Sequence, residues 1–161
     1  KRIVSLRVNT LKSNSNDIRN ELDKAGIKYE NVFFSENAFI IRNVDEKAIK
    51  TLYIYEKGEI YLQSLSSMLP PIILNPKEKS DILDMAAAPG GKTVQIAALT
   101  QNRANITACE MNKIRCERLK YNIEKQGATG VNILMQDSRN LDNYFSFDKI
   151  LTINIKTSII V

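Results

Sequence analysis

Apolar and polar positions repeat with two different periods along this chain, and the period changes across the polar turn Asn75 to Ser80. Upstream, Arg2 to Val8 alternates like a strand, and Asn14 to Ala25 places Ile18, Leu22 and Ala25 on one helical face before Gly26 ends the helix. Val32-Phe33-Phe34 and Ala38 to Ile41 flank Ser35-Glu36-Asn37, which predicts a strand pair turning at Ser35 to Asn37. Asp45 is placed to cap a brief helix through Leu52, and Glu59 to Leu62 reads as extended. Ser64 to Leu74 is a helix with Leu65, Met68 and Leu69 on one face, constrained by Pro70-Pro71.

Downstream of Ser80, strands and helices alternate. The pattern predicts strands at Asp81 to Met85, Asn105 to Cys109 and Val131 to Met135, with a candidate fourth at Phe147 to Leu151. Between them it predicts helices from about Gly91 to Thr100 and from Lys113 to Gln126, the second capped by Gly127. Such alternation means an α/β fold with a parallel sheet, binding ligands at the carboxyl ends of its strands. The expected organisation is a small α+β module over residues 1–62, a connecting helix and turn over 63–79, and a Rossmann-like domain over 80–161.

Composition narrows the chemistry. The 161 residues include 23 Lys plus Arg against 18 Asp plus Glu, a net charge of +5, which admits an anionic partner such as nucleic acid without requiring one. There is no His, so these residues hold no Ser-His-Asp triad, His-ligated zinc or imidazole base. Cys109 and Cys116 form neither a metal pair nor a disulfide framework; they read as packing residues of a reducing compartment, and no metal site is expected. No run approaches the roughly 18 apolar residues of a membrane span, and no cleavable signal is visible at the start, so a cytoplasmic protein is expected, or a nucleolar one if the source is eukaryotic. The opening Lys1, in place of Met, suggests a fragment or a chain lacking its ends.

The most informative stretch is Asp84-Met85-Ala86-Ala87-Ala88-Pro89-Gly90-Gly91-Lys92-Thr93, between the first strand of the second half and its helix. Ala and Gly leave the backbone bare, so a ligand can approach peptide groups at a helix N-terminus. Glu110 stands at the end of the next strand, 19 residues after Gly91, where an acid accepts hydrogen bonds from ribose hydroxyls. Asp137 follows the third strand, where a carboxylate can accept from an exocyclic amine. Together these imply a nucleoside-containing cofactor. Gly91-Lys92-Thr93 also ends a near-match to a phosphate-binding loop. Its first Gly would fall on Ala86, however, and Pro89 removes an N–H donor. A dinucleotide fingerprint is absent, and an adenosyl cofactor without phosphates fits the donors better.

Asp84 to Thr93 resembles the first motif of the Nop/Sun family of S-adenosylmethionine-dependent RNA cytosine-C5 methyltransferases, with Ala86 where that family has Cys. The likeness extends to Leu6-Arg7-Val8-Asn9-Thr10, to Tyr61 through Met68, to Glu110 through Arg115 and to Gln136-Asp137-Ser138-Arg139. It implies that Ala86, Ala87, Ala88, Pro89, Gly90, Gly91 and Lys92 wrap the methionine part of S-adenosylmethionine. Glu110 would hold the ribose, Asp137 the adenine amino group, and Arg115 would join the cofactor-binding set. The substrate it implies is structured RNA, ribosomal or transfer, helped into place by residues 1–62. Arg7 and Lys12 are the expected phosphate contacts, since a groove beside the cleft needs cations. Tyr53, Tyr55 and Tyr61 could stack bases. The basic residues of the Lys113 to Gln126 helix read instead as a self-paired face, with Glu117 and Glu124 as i,i+4 partners of Lys113 and Lys120.

The same resemblance implies covalent catalysis. A cysteine thiolate adds to C6 of the cytosine, making C5 nucleophilic enough to take the methyl group, and a second cysteine helps release the product. In the family, cysteine-bearing segments follow a stretch like Phe147-Asp148-Lys149-Ile150-Leu151. Here Thr152 to Val161 follows it, with no cysteine, and its apolar residues could add another strand. Cys109 and Cys116 do not match the family's cysteine positions, so no catalytic residue is assigned and this polypeptide alone is expected not to methylate RNA. A non-catalytic RNA-binding or assembly protein with a residual cofactor pocket is the alternative.

Overall fold

The computed structural model describes residues 3–152. Two four-stranded sheets are joined through one helix. The first is antiparallel, in the order β2-β3-β1-β4, and contains β1 (Val4–Val8), β2 (Tyr29–Val32), β3 (Ser35–Ile41) and β4 (Ile60–Leu62). Helix α1 (Ser15–Lys24) starts where Asn14 accepts a hydrogen bond from the Asp17 N–H, and it ends before Gly26 at φ +65. Asp45 caps α2 (Glu46–Lys50) in the same way, and the single turn α3 (Tyr53–Glu56) follows. One face of this sheet and its helices bury Leu6, Val8, Ile18, Leu22, Phe39 and Ile49 in one apolar core.

The hairpin turns two residues earlier than the sequence predicts. Ser35 pairs with Val32, so Phe33 and Phe34 make the turn and Ser35 to Asn37 belong to β3. Tertiary packing explains the difference: Phe34 lies against Val32, Ala38 and Met68 beneath the sheet, outweighing the turn preference of Ser and Asn. Phe33 is left fully exposed.

Helix α4 (Leu65–Leu74) carries Pro70 and Pro71 within it and joins the two sheets. Its Met68 and Leu65 pack under the first sheet, while the helix also contacts α5 and β8. The second sheet is parallel, in the order β7-β6-β5-β8, and contains β5 (Asp81–Asp84), β6 (Asn105–Cys109), β7 (Val131–Leu134) and β8 (Lys149–Leu151). Helix α5 (Gly91–Leu99) connects β5 to β6, and α6 (Lys113–Gln126) connects β6 to β7. The chain moves outward from β5 to β7 and then returns to place β8 on the other side of β5. The tip of β5 therefore lies at a topological switch point, where open α/β sheets form their ligand crevice. The fold class is the expected one. Of the apolar tail Thr152 to Val161, all but Thr152 lies outside the described residues.

Candidate functional site

The bend after β5 is built from short-range bonds that hold its backbone open. Asp84 is buried at the strand end and accepts a hydrogen bond from the Thr93 hydroxyl at 2.7 Å, tying β5 to the first turn of α5. Burial pushes its carboxyl above the ordinary value, opposed by the Thr93 hydroxyl, the Ala86 N–H and the Lys92 charge. The Ala87 N–H donates to the Cys109 carbonyl and the Gly90 N–H to the Ala87 carbonyl, so the loop is fixed against β6. Gly90 sits at φ +111, and a Cβ there would lie 3.1 Å from Leu119. Burial holds the Lys92 ammonium below its ordinary value, with Asp84 opposing.

A cleft of about 260 Å³ opens over this bend, and Ala86, Ala87, Ala88, Pro89, Gly91, Lys92 and Arg115 all line it. Its opposite wall runs from Tyr61 through Ser64 to Ser67. Gly91 is required by that wall: a Cβ there would stand 2.9 Å from the Tyr61 ring. Sequence reasoning placed Tyr61 in a motif but did not foresee it as a wall of this cleft, because it lies 30 residues before Gly91 and only the packing of β4 on the second half brings it there.

Arg115 links the bend to the acid of β6. Its Nη2 donates to the Ala88 carbonyl at 2.8 Å and its Nη1 lies 3.4 Å from Glu110 Oε2. Glu110 is buried, and its other oxygen accepts from the Asn112 N–H at 2.9 Å. Asn122 of α6 donates to the Pro89 carbonyl at 2.7 Å, a second tie to the same loop. Asp137 follows β7 and caps the short turn Ser138–Asn140. Its carboxylate accepts from the Arg139 backbone and guanidinium, which hold it well down at about 2. Burial, and after it the charges of Asp84 and Asp137, pushes the Cys109 thiol up. The bend, Arg115 and Glu110 thus form one bonded set, Asp137 pairs with Arg139, and Gly90, Glu110 and Asp137 are not among the residues lining the cleft.

The two expected phosphate contacts have other partners. Arg7 is buried at 5% exposure, donates to Gln63 Oε1 at 3.0 Å and lies 6.0 Å from the centre of the Tyr61 ring. Burial lowers its guanidinium to about 10, against the Tyr61 charge. A side chain so enclosed is a brace between β1 and the start of α4, not a surface cation. Lys12 is exposed but donates its ammonium to the Lys57 and Lys125 carbonyls, closing the end of α6. On α6 itself Glu117 pairs with Lys120 at i,i+3, rather than with Lys113. Asn9 donates to the Gly58 and Gln126 carbonyls, so the Leu6 to Thr10 signature fastens the first sheet to the second half. Cys109 and Cys116 are both buried and unpaired. Among the described residues no group of acids and cysteines could hold a metal ion, and no helix is long and apolar enough to cross a membrane.

Residues 71–154, just over half the chain, match the family model described as 16S rRNA methyltransferase RsmB/F. The chain belongs to the RsmB/F family. It is 35% identical over 154 residues to a Ribosomal RNA small subunit methyltransferase F of Shewanella loihica, covering 91% of this chain and 32% of that protein. It is 42% identical over 105 residues to a tRNA (cytosine(72)-C(5))-methyltransferase of Pyrococcus horikoshii, covering 65% of this chain and 27% of that one. A crystal structure titled as a methyltransferase homolog protein from Pyrococcus horikoshii superimposes with a TM-score of 0.82 at 33% identity, covering 93% of this chain and 50% of the other. The chain thus spans about a third of the length of the curated RsmB/F relatives it matches. This is the Nop/Sun group that the motifs resemble.

Proposed function

We propose that these residues are the cofactor-binding part of an RNA cytosine-C5 methyltransferase that uses S-adenosylmethionine and acts on ribosomal or transfer RNA in the cytoplasm. The observation that carries this reading is Arg115, which lines a cleft of about 260 Å³ over the bend after β5 and ties the Ala88 carbonyl there to Glu110 at the end of β6. The donor set suits such a cofactor. Lys92 and Arg115 offer cations to a carboxylate, the first turn of α5 leaves N–H groups without helical partners, and from Ala86 to Gly91 the bend carries no side chain larger than Pro. In this proposal Ala86 to Lys92 hold the methionine portion, Glu110 accepts from the ribose hydroxyls, and Asp137 accepts from the adenine amino group. When bound, the cofactor supplies an electrophilic methyl group on a sulfonium.

The chain's own residues bind and orient; they do not supply the nucleophile. Cys109 lies within β6 and Cys116 faces inward on α6, and neither reaches the cleft. Residues 1–62 are proposed as the module that helps hold RNA, residues 63–79 as the connector and residues 80–161 as the cofactor domain. Calorimetric titration tests the reading: S-adenosylhomocysteine binds this chain while ATP with Mg²⁺ does not. Binding of the nucleotide alone would overturn it. Incubation with tritiated cofactor and RNA leaves the RNA unlabelled, because no thiol faces the cleft.

A further inference from the structure

A second groove, of about 210 Å³, lies on the other side of Tyr61, between α2, α3 and β4 on one flank and the last turns of α6 on the other. Lys50, Tyr55, Tyr61, Lys125 and Gln126 line it, together with Glu46, which stands 3.9 Å from the Lys50 ammonium. The Lys125 ammonium rests over the Tyr55 ring, 4.0 Å from its centre, and covers that face as a cation–π contact. Gln126 is 2% exposed, and its Oε1 has no hydrogen-bond partner, although its Nε2 donates to the Ile60 carbonyl at 3.2 Å. A buried acceptor left unpaired is unfavourable unless something donates to it. The neighbouring carbonyls cannot relieve it, and those of Lys125 and Gln126 are already taken by Lys12 and Asn9.

We propose that this groove holds one nucleotide of a single-stranded RNA segment, with the base replacing the Lys125 ammonium over the Tyr55 ring, the phosphate between Lys50 and the displaced Lys125, and a base N–H or ribose hydroxyl donating to Gln126 Oε1. The proposal rests on RNA being the substrate, and it moves the RNA contact from Arg7 and Lys12 to two groove-lining lysines held only by a long ion pair and by cation–π contacts. Stacking with flanking ammonium groups is how proteins hold unpaired nucleotides, whereas a duplex hides its base faces. Tyr61 walls both this groove and the cofactor cleft, which sets the RNA contact directly beside the methyl donor's site.

Fluorescence anisotropy of a labelled oligouridylate of about ten nucleotides tests it. The chain binds this probe at about 50 mM salt, and reversing both charges in Lys50→Glu/Lys125→Glu weakens binding on the order of 100-fold and lowers the logarithmic salt slope by about 1.4. Tyr55→Ala weakens it about tenfold, whereas Tyr55→Phe, which keeps the ring, stays near the parent. Affinity for S-adenosylhomocysteine, unchanged in each variant, reports that the fold is intact. If the double variant keeps cofactor affinity and binds the probe as the parent does, the groove assignment fails while the cofactor reading stands. It fails equally if the parent does not bind the probe. Should the double variant not fold, the Tyr55→Phe and Tyr55→Ala pair decides, and equal affinities there overturn the assignment.

Discussion

In the antiparallel sheet, β1 sends Leu6 and Val8 into one apolar core and turns Ser5 and Arg7 the other way, where both bond to Gln63. In the parallel sheet, consecutive residues Ile82, Leu83 and Asp84 of β5 are all buried, as expected where both faces are covered. The consequence lies in where polar groups end up. The first sheet consumes its polar positions as braces within the fold. The second keeps its polar groups at strand tips, where Asp84, Glu110 and, beyond β7, Asp137 gather at one end of the sheet. Ligand chemistry can use the second set because a strand's carboxyl end leaves the following loop free to be shaped.

The largest expected effect comes from breaking the seam between the two regions. Gly58 stands at φ +71, and a Cβ there would meet the Lys125 carbonyl oxygen at 2.2 Å, whereas Gly26, at φ +65, has nothing within 4 Å. Both glycines carry the left-handed penalty, so Gly26→Ala is expected to destabilise by about 1 kcal/mol. Gly58→Ala must also push the end of α6 away from β4 and is expected to lose on the order of 3 kcal/mol or more. Urea unfolding of the two variants measures the difference. Equal losses would mean that the two halves are not held together there.

A smaller pair of effects separates brace from site. Glu110→Ala is expected to weaken S-adenosylhomocysteine binding by about 150-fold or more, the low end for two hydrogen bonds to a charged group, with little change in the unfolding midpoint because its partners Asn112 and Arg115 are exposed. Arg7→Ala is expected to do the reverse. It leaves Gln63 Oε1 without its donor in a buried position and destabilises by about 2 kcal/mol, while cofactor affinity changes little. Calorimetry and denaturation on the same two variants test the crossing. A shared pattern would show that the comparison between the sheets is wrong.

Much of this division was legible in the sequence. Asn105–Cys109 and Lys113–Gln126 have the bounds their periodicity predicts, because an alternating or helical apolar pattern ended by Gly127 has one good solution. The bend after β5 was legible because small residues in a row have few structural reasons to be there. What sequence could not show is which distant residue faces which. Arg7 reads as a surface cation until Gln63 and the Tyr61 ring enclose it, Phe33-Phe34 reads as strand until Phe34 finds Met68, and Tyr61 becomes a wall only through tertiary packing. Lys125 and Gln126 were likewise hidden in a helix whose charges look self-paired.

The smallest effect concerns two acids of the same strand-tip region with opposite behaviour. Burial raises the folded-state value of Asp84 above the ordinary 3.8, so the fold favours its protonated form. Its contribution to stability is therefore fully present below about pH 4 and is lost as pH rises through the raised value. Asp137 is depressed to about 2 by Arg139, so its contribution is present above the ordinary carboxylate value and is lost only as pH falls toward 2. Asp84→Asn keeps an acceptor for Thr93 but cannot ionise. Relative to the parent, the variant is expected to gain stability as pH rises from about 4 to 7, read as a growing difference in urea midpoint. Asp137→Asn is expected to differ from the parent by a constant amount over that interval. A constant difference for Asp84→Asn as well would mean that its carboxyl is not held in a dry site, and that the β5 tip is open to solvent like the rest of the surface.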